Sequence, residues 1–209
     1  LTVVITNSAK EATYQRRAIE FFSKGQDLPI LLLPDWETLP YDIFSPHQDI
    51  ISGRLKTLAK LPTTKRGILL VPVTTIMHRL APVDFVSSRT FHYQVGDELD
   101  RDKLQSQLNK VGYNRVDTVY EHGEFAFRGS IIDIFPMGAK SPFRLDLLDT
   151  EVESLRLFDP ESQRTIESVQ RIDVLPAREF PLDKQSINTF LNKWHDCFDN
   201  NPDPCPVYR

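Results

Sequence analysis

Cysteine is nearly absent. The 209-residue chain has two, Cys197 and Cys205, both near its C-terminal end, and such a pair builds no disulfide framework. That usage points to a reducing, cytoplasmic setting. Long apolar runs are missing too: no stretch suffices to cross a bilayer and no signal-peptide pattern is present, so no membrane partner is expected. Nor is positive charge in excess. With 25 Lys+Arg against 29 Asp+Glu, the formal net charge is -4 and the pI near 5.8, which gives no global attraction to nucleic acid and leaves only a local basic patch to bind one. Glycine is sparse, 8 residues, and nowhere forms the loop whose backbone N–H groups cradle phosphates. The nearest approach, Gly53-Arg54-Leu55-Lys56-Thr57, has leucine where glycine should precede the lysine and falls within a helical stripe. Ser8-Ala9-Lys10 follows a strand, yet its serine serves better as a helix cap.

Catalytic constellations are missing as well. The five histidines, at 47, 78, 92, 122 and 195, are scattered, and only His195-Asp196-Cys197 with Cys205 resembles a ligand set. It lacks a fourth ligand and a paired-cysteine spacing, so no metal is expected. Asp146, Asp149, Glu151 and Glu153 read as the acidic end of a solvated hairpin, not as an acid/base pair. No Ser-His-Asp or Cys-His arrangement can be assembled. The expectation is a chain without catalytic residues or cofactor.

What is there suits two domains, with apolar residues enough for a core in each. The chain opens with Leu1-Thr2 inside a strand and stops at Arg209 without a cap, so it reads as a piece of something longer. Val3–Thr6, Ile30–Leu33 and Ile68–Val71 are short apolar runs separated by helical stretches, the pattern of a parallel sheet covered on both faces. The first helix starts at a Ser8/Glu11 capping box, carries Tyr14, Ala18, Phe21 and Phe22 on one face, and ends at Gly25. A proline- and aspartate-rich loop, PDWETLPYDIFSPHQD, then packs over the strand ends. Gln48–Lys60 follows as a helix with Ile51, Leu55 and Leu58 as its stripe, and a short helix runs from about Thr74 to Leu80.

Beyond Pro82 the periodicity changes to α+β. Phe91–Val95 is extended, and Asp100 caps a helix that buries Leu104, Leu108 and Val111 and stops at Gly112. Strands are predicted at Arg115–Tyr120, Glu124–Arg128, Ile131–Phe135, Phe143–Leu148, Val152–Phe158 and Arg171–Leu175, as an antiparallel meander with one solvated face. The densest block is Tyr120–Pro136. There Phe125 and Phe127 turn inward, Glu124 and Arg128 outward, and Gly129-Ser130 is either a hairpin turn or a bulge. Arg144 and Asp146 fall on the outward face with Arg128, and Arg115 is placed there with them. An arginine-bearing sheet face of this kind suits a charged protein partner, or is simply a cross-strand ion-pair network. From Pro176 the chain is polar and proline-punctuated, with an amphipathic helix around Lys184–Phe198 and disorder expected in the terminal NNPDPCPVYR.

Two stretches carry a resemblance. GDELDRDKLQSQLNKVGYNRVDTVYEHGEFAFRGSIIDIFPMG, followed by PFRLDLLDTEVESLRLFDPESQRT, resembles the second domain of the excision-repair protein UvrB. The preceding DWETLPYDIFSPHQDIISGRLKTLAKLPTTKRGILLVPVTTIMHRLAP is similar to the N-terminal UvrB-homology module of the bacterial transcription-repair coupling factor family. The resemblance implies an α/β fold: a degenerate RecA-like parallel-sheet domain (1–82), an inserted α+β antiparallel-sheet domain resembling UvrB domain 2 (83–177), and a return segment (178–209) packing on the first domain. It implies a non-catalytic adaptor that recruits UvrA to stalled RNA polymerase for nucleotide excision repair. Contacts with RNA polymerase and DNA, and ATP-driven translocation, belong to further domains of the longer protein. UvrB contacts UvrA through a tyrosine–x–arginine element, an arginine–x–arginine–glycine element and an acidic residue on a later strand. Here these match Tyr113-Asn114-Arg115, Ala126-Phe127-Arg128-Gly129 and Asp146. Ala126 replaces one arginine, Arg144 is the candidate substitute, and Phe127 of the second element counts with them among the candidate UvrA-binding residues.

The Walker loop and DNA-gripping hairpin of UvrB have no counterpart, Tyr41–Ser45 leading almost directly into the next helix. The alternatives are a helicase-type NTP-dependent domain and DNA binding through exposed aromatics such as Trp36 and Tyr41. For the adaptor reading, Arg128→Glu is expected to weaken UvrA binding without unfolding the chain, because an outward strand arginine contributes little to the core.

Overall fold

The computed structural model describes residues 1–39 and 42–198, with the backbone alone at 195 and 197. It divides into two compact units, Leu1–Glu179 and the segment from Phe180 onward, each taken by itself. In the first unit, β1 (Thr2–Thr6), α1 (Ala9–Phe22), β2 (Ile30–Leu32), α2 (Gln48–Lys60), β3 (Ile68–Pro72) and α3 (Val73–Ile76) form the α/β part. The strands make a parallel sheet in the order β1-β3-β2, so β3 is central and Leu69, Leu70 and Val71 are buried. Ser8 caps α1 by accepting the Glu11 N–H at 3.2 Å, while the Glu11 carboxylate accepts the Asn7 N–H at 3.0 Å. The inward face of α1 differs from the expected one. Ala12 is the buried residue and Gln15 and Ile19 are half-buried with it, whereas Tyr14, Phe21 and Phe22 are exposed, off that face.

The chain continues through α4 (Val83–Ser88), β4 (Phe91–Gln94), α5 (Arg101–Lys110), β5 (Asn114–Arg115), β6 (Glu124–Arg128), β7 (Ile131–Ile134), β8 (Phe143–Leu148), β9 (Glu151–Phe158), β10 (Thr165–Val169) and β11 (Arg171–Val174). Six of these strands form one sheet, ordered β10-β9-β8-β7-β6-β5, antiparallel except for the parallel pair β5·β6. Gly129-Ser130 is the two-residue turn of the β6–β7 hairpin. Arg128 pairs with Ile131 across it, and Gly129, at φ +60, supplies the first central position that a type II′ turn asks of glycine.

Two strand expectations and one helix end change, and one strand is new. The run predicted at Arg115–Tyr120 shrinks to Asn114–Arg115, since the Glu124 carboxylate takes the Tyr120 and Glu121 N–H groups and holds a loop instead. Arg171–Val174 leaves the meander and pairs with Phe91–Gln94, while β10, unforeseen, takes the outer place. The short helix expected to run to Leu80 ends at Ile76.

One face of the six-stranded sheet packs Phe125, Ile132, Ile134, Leu145 and Leu155 against Leu104 and Leu108 of α5. Leu55 of α2 lies in the same core, so the α/β part and the antiparallel sheet share it. The opposite face is not simply solvated: Val119, Ala126, Phe135 and Phe158 form a second small cluster there. Tyr113 anchors the end of α5. Its hydroxyl donates to the Leu175 carbonyl at 2.7 Å and accepts the Met137 N–H at 3.2 Å, and full burial pushes its pKa well up. In the second unit, α6 (Lys184–Asn192) is capped by Asp183, α7 (Trp194–Cys197) follows, and Phe190 packs edge-on against Trp194. Among the described residues no helix is long and apolar enough to cross a membrane.

Candidate protein-binding face

Strand register brings the polar residues together. Ala126, Asp133, Arg144 and Arg156 stand in one cross-strand row of β6–β9, and Arg128, Ile131, Asp146 and Ser154 in the next. Diagonal neighbours on such a face are within reach of long side chains. Arg128 therefore meets Asp133, and Arg156 meets Asp146.

Asp133 is fully buried and is the hub. Its carboxylate accepts from Arg128 Nη2 and, in bidentate fashion, from Arg144 Nε at 2.7 Å and Nη2 at 3.0 Å. The Arg144 guanidinium also lies 4.5 Å from the Phe158 ring centroid and donates to the backbone carbonyl and side-chain oxygen of Gln163, both at 3.3 Å. Hydrogen bonding to Asp133 raises the Arg144 pKa further above its ordinary value, against the opposing effect of burial. With 15 % of its side chain exposed, Arg144 is consumed by the fold. Arg128 differs: it holds Asp133 through one nitrogen and keeps 43 % of its side chain exposed at the hairpin.

Arg115 and Phe127 lie elsewhere. Arg115 pairs in register with Phe125, on the sheet face opposite Arg128, Arg144 and Asp146, and its guanidinium carbon sits 5.8 Å from the Phe127 ring centroid. The expected single face of Arg115, Arg128, Arg144 and Asp146 is thus two surfaces meeting at the β5–β6 edge. Phe125 is buried as predicted and packs edge-on against Phe127, which is only partly covered.

The placement of Arg128 also alters what its substitution does. Arg128→Glu would set a second carboxylate against buried Asp133, so the expectation of a harmless charge reversal gives way to one of destabilisation. Neutral Arg128→Gln is the clean probe. Sequence reasoning missed Asp133, Arg156, Gln163 and Arg101; the available signal for Asp133 was a lone carboxylate inside the apolar run Ile131-Ile132-Asp133-Ile134-Phe135. Trp36 is no free stacking platform. It lies 4.7 Å from the Arg54 guanidinium carbon and 4.7 Å from the His78 ring, and donates Nε1 to Glu179 at 3.0 Å. Tyr41, Cys205 and the terminal 200–209 fall outside the described residues, as do the side chains of 195 and 197. Among the described residues no group of His, Cys, Asp and Glu could hold a metal ion.

A family model described as the UvrB interaction domain matches residues 91–180, which run from β4 past β11 and contain every residue of both surfaces. The class is therefore a UvrB-type interaction domain preceded by an α/β part. The chain is 51 % identical over 187 residues to the transcription-repair-coupling factor of Escherichia coli K12, covering 90 % of the chain and 16 % of that protein. To the Haemophilus influenzae transcription-repair-coupling factor it is 44 % identical over 210 residues, 100 % of the chain and 18 % of the relative. The Bacillus subtilis factor is 36 % identical over 176 residues, 84 % of the chain and 15 % of the relative. The chain belongs to the transcription-repair-coupling factor family, of which it represents the N-terminal UvrB-homology module. It spans about a sixth of the length of those relatives.

Proposed function

We propose that the chain is a non-catalytic adaptor that binds UvrA through its six-stranded sheet and so brings the excision-repair machinery to stalled RNA polymerase. The observation that carries the reading is the match of residues 91–180 to a UvrB interaction domain whose β6–β7 hairpin presents Arg128 to solvent. Arg128 is the central contact, the Asp146–Arg156 pair lies beside it on the same face, and Arg115 with Phe127 extends the contact over the sheet edge. Arg144 fixes Asp133 and so holds the face in shape. DNA and RNA polymerase contacts, and ATP-driven translocation, lie with the rest of the longer protein.

In this reading 1–82 is a degenerate RecA-like domain, 83–177 a UvrB-domain-2-like insertion, and 178–209 a return segment. The helicase-type alternative gains no support from the α/β part. The Gly53–Thr57 segment lies within α2, where Arg54 is buried against Glu179, and the N-terminus of α1 is capped by Ser8 and carries the Glu11 carboxylate in its first turn.

Isothermal titration of the chain into UvrA tests the proposal. Saturable binding that Arg128→Gln weakens about tenfold, with the melting curve shifted only slightly, is the expected result, since interface arginines are frequent hot spots. No heat of binding from the folded native chain would end it.

A further inference from the structure

A second surface lies on the far side of the β5–β6 edge from Arg128. Arg101 opens α5 and Arg115 ends β5, and their guanidinium carbons stand 5.2 and 5.8 Å from the centroid of the same ring, Phe127. They border a recess of about 680 Å³ that Gln105, Asp102 and Asp149 also line. Among the described residues no carboxylate pairs with either guanidinium; the partner of Arg115 is Gln105, whose Oε1 accepts at 3.3 Å. This contrasts with Arg144 and Arg156 across the sheet, which both hold aspartates.

The aromatic ring orders two cations that no described carboxylate pairs with directly, and planar guanidinium groups held on a ring keep donor edges for a carboxylate. The other charged residues lining the recess, Asp100, Asp102 and Asp149, have the opposite sign. Asp149 projects from the β8–β9 turn at φ +57, and the Asp100 carboxylate next to Arg101 stays ionised because it accepts the Lys103 and Asp102 N–H groups, which lowers its pKa. A phosphodiester backbone would meet repulsion from these carboxylates. A protein surface with an acidic side chain flanked by a basic one would meet a complement.

We propose that Arg101, Phe127 and Arg115 form a clamp for an acidic side chain of the protein partner, with Asp149 receiving a basic neighbour. The proposal rests on the UvrA-binding reading above and adds Arg101, a residue outside both arginine motifs, as a specificity-determining contact. The partner would then wrap the β5–β6 edge and touch both sides of the sheet.

Titration of UvrA with the native chain, Arg101→Glu and Asp149→Lys tests it, each variant checked by its circular-dichroism melt. Arg101→Glu weakens binding about tenfold or more, and Asp149→Lys weakens it several-fold, in the manner of interfacial charge reversals. Should Arg101→Glu fail to fold, Arg101→Gln replaces it, with a loss of at least about threefold expected. Binding within twofold of native for a folded Arg101 variant overturns the clamp and leaves the Arg128 reading standing. Tighter binding by Asp149→Lys overturns it too, because the recess would then face a purely anionic target. Absence of binding by the native chain removes both proposals together.

Discussion

Asp133→Asn deletes the charge at the centre of the β6–β8 network and keeps its shape. Asp133 is fully buried and Arg144 nearly so, which makes this the removal of one partner from a buried pair, a change that costs about 3–5 kcal/mol. The Arg128 arm adds little, about 0–1 kcal/mol, because that guanidinium is 43 % exposed and screened by solvent. Asparagine still offers one acceptor oxygen, so the lower end applies, about 3 kcal/mol. With a urea m-value of about 2 kcal/mol per molar, the midpoint falls by about 1.5 M. Urea unfolding followed by far-ultraviolet circular dichroism measures it, with Arg144→Gln giving a loss of similar size and Arg128→Gln a small one. The double change Asp133→Leu/Arg144→Met should recover much of the loss, since a buried pair exchanged whole for apolar side chains is often neutral. A midpoint shift for Asp133→Asn under about 0.3 M, at unchanged m, would refute the argument by putting the network on a par with an exposed ion pair.

Three further outcomes are expected. Arg54→Ala leaves the Glu179 carboxylate buried without its 2.5 Å partner, and a loss of about 3–5 kcal/mol should lower the melting temperature by about 10 °C or more. Gly67→Ala should destabilise by about 1–3 kcal/mol in the same assay, because at φ +148 a Cβ would lie 2.6 Å from the Pro29 carbonyl oxygen. The backbone N–H groups of Lys103 and Asp102 lower the Asp100 pKa, so its ionised cap stabilises α5 above the ordinary carboxylate value and that contribution is lost as the pH falls through the lowered one. An acid titration of Asp100→Asn, which keeps the cap and loses the proton site, should be flatter below about pH 4, where an unperturbed aspartate titrates.

Much of the fold was legible because its signals are local. Gln48–Lys60 forms the predicted helix, Asp100 caps α5, and Leu104 and Leu108 face the core, while at Gly129-Ser130 the pairing of Arg128 with Ile131 decides for the hairpin between two readings the sequence left open. Misreadings arose where distant partners decide. Phe21 and Phe22 look like a core face, yet Ala12 is the residue that the fold buries and both rings stay exposed. Val116–Tyr120 is apolar enough for a strand, yet Glu124 draws its end into a loop. At the candidate site the arginines could be named but not sorted. Whether Arg144 is free depends on Asp133, eleven residues away in sequence, and on Gln163 in a turn after the following strand. The side of the sheet on which Arg115 stands follows from its register opposite Phe125, which only the pairing of β5 with β6 sets.

Helix α2 has a consequence for any attempt to trim the chain. Leu55 fills the same interior as Tyr113 and Met137, the Ser52 hydroxyl accepts the Gly138 N–H at 2.8 Å, and Asp49 faces His122 at 2.8 Å. Severing the chain at residue 82 would pull this peg from its socket. The excised sheet would keep every one of its strands yet carry a greasy trough where the helix had lain, prone to clump before any partner could be offered to it. The smallest piece that keeps this surface dry includes Gln48–Lys60.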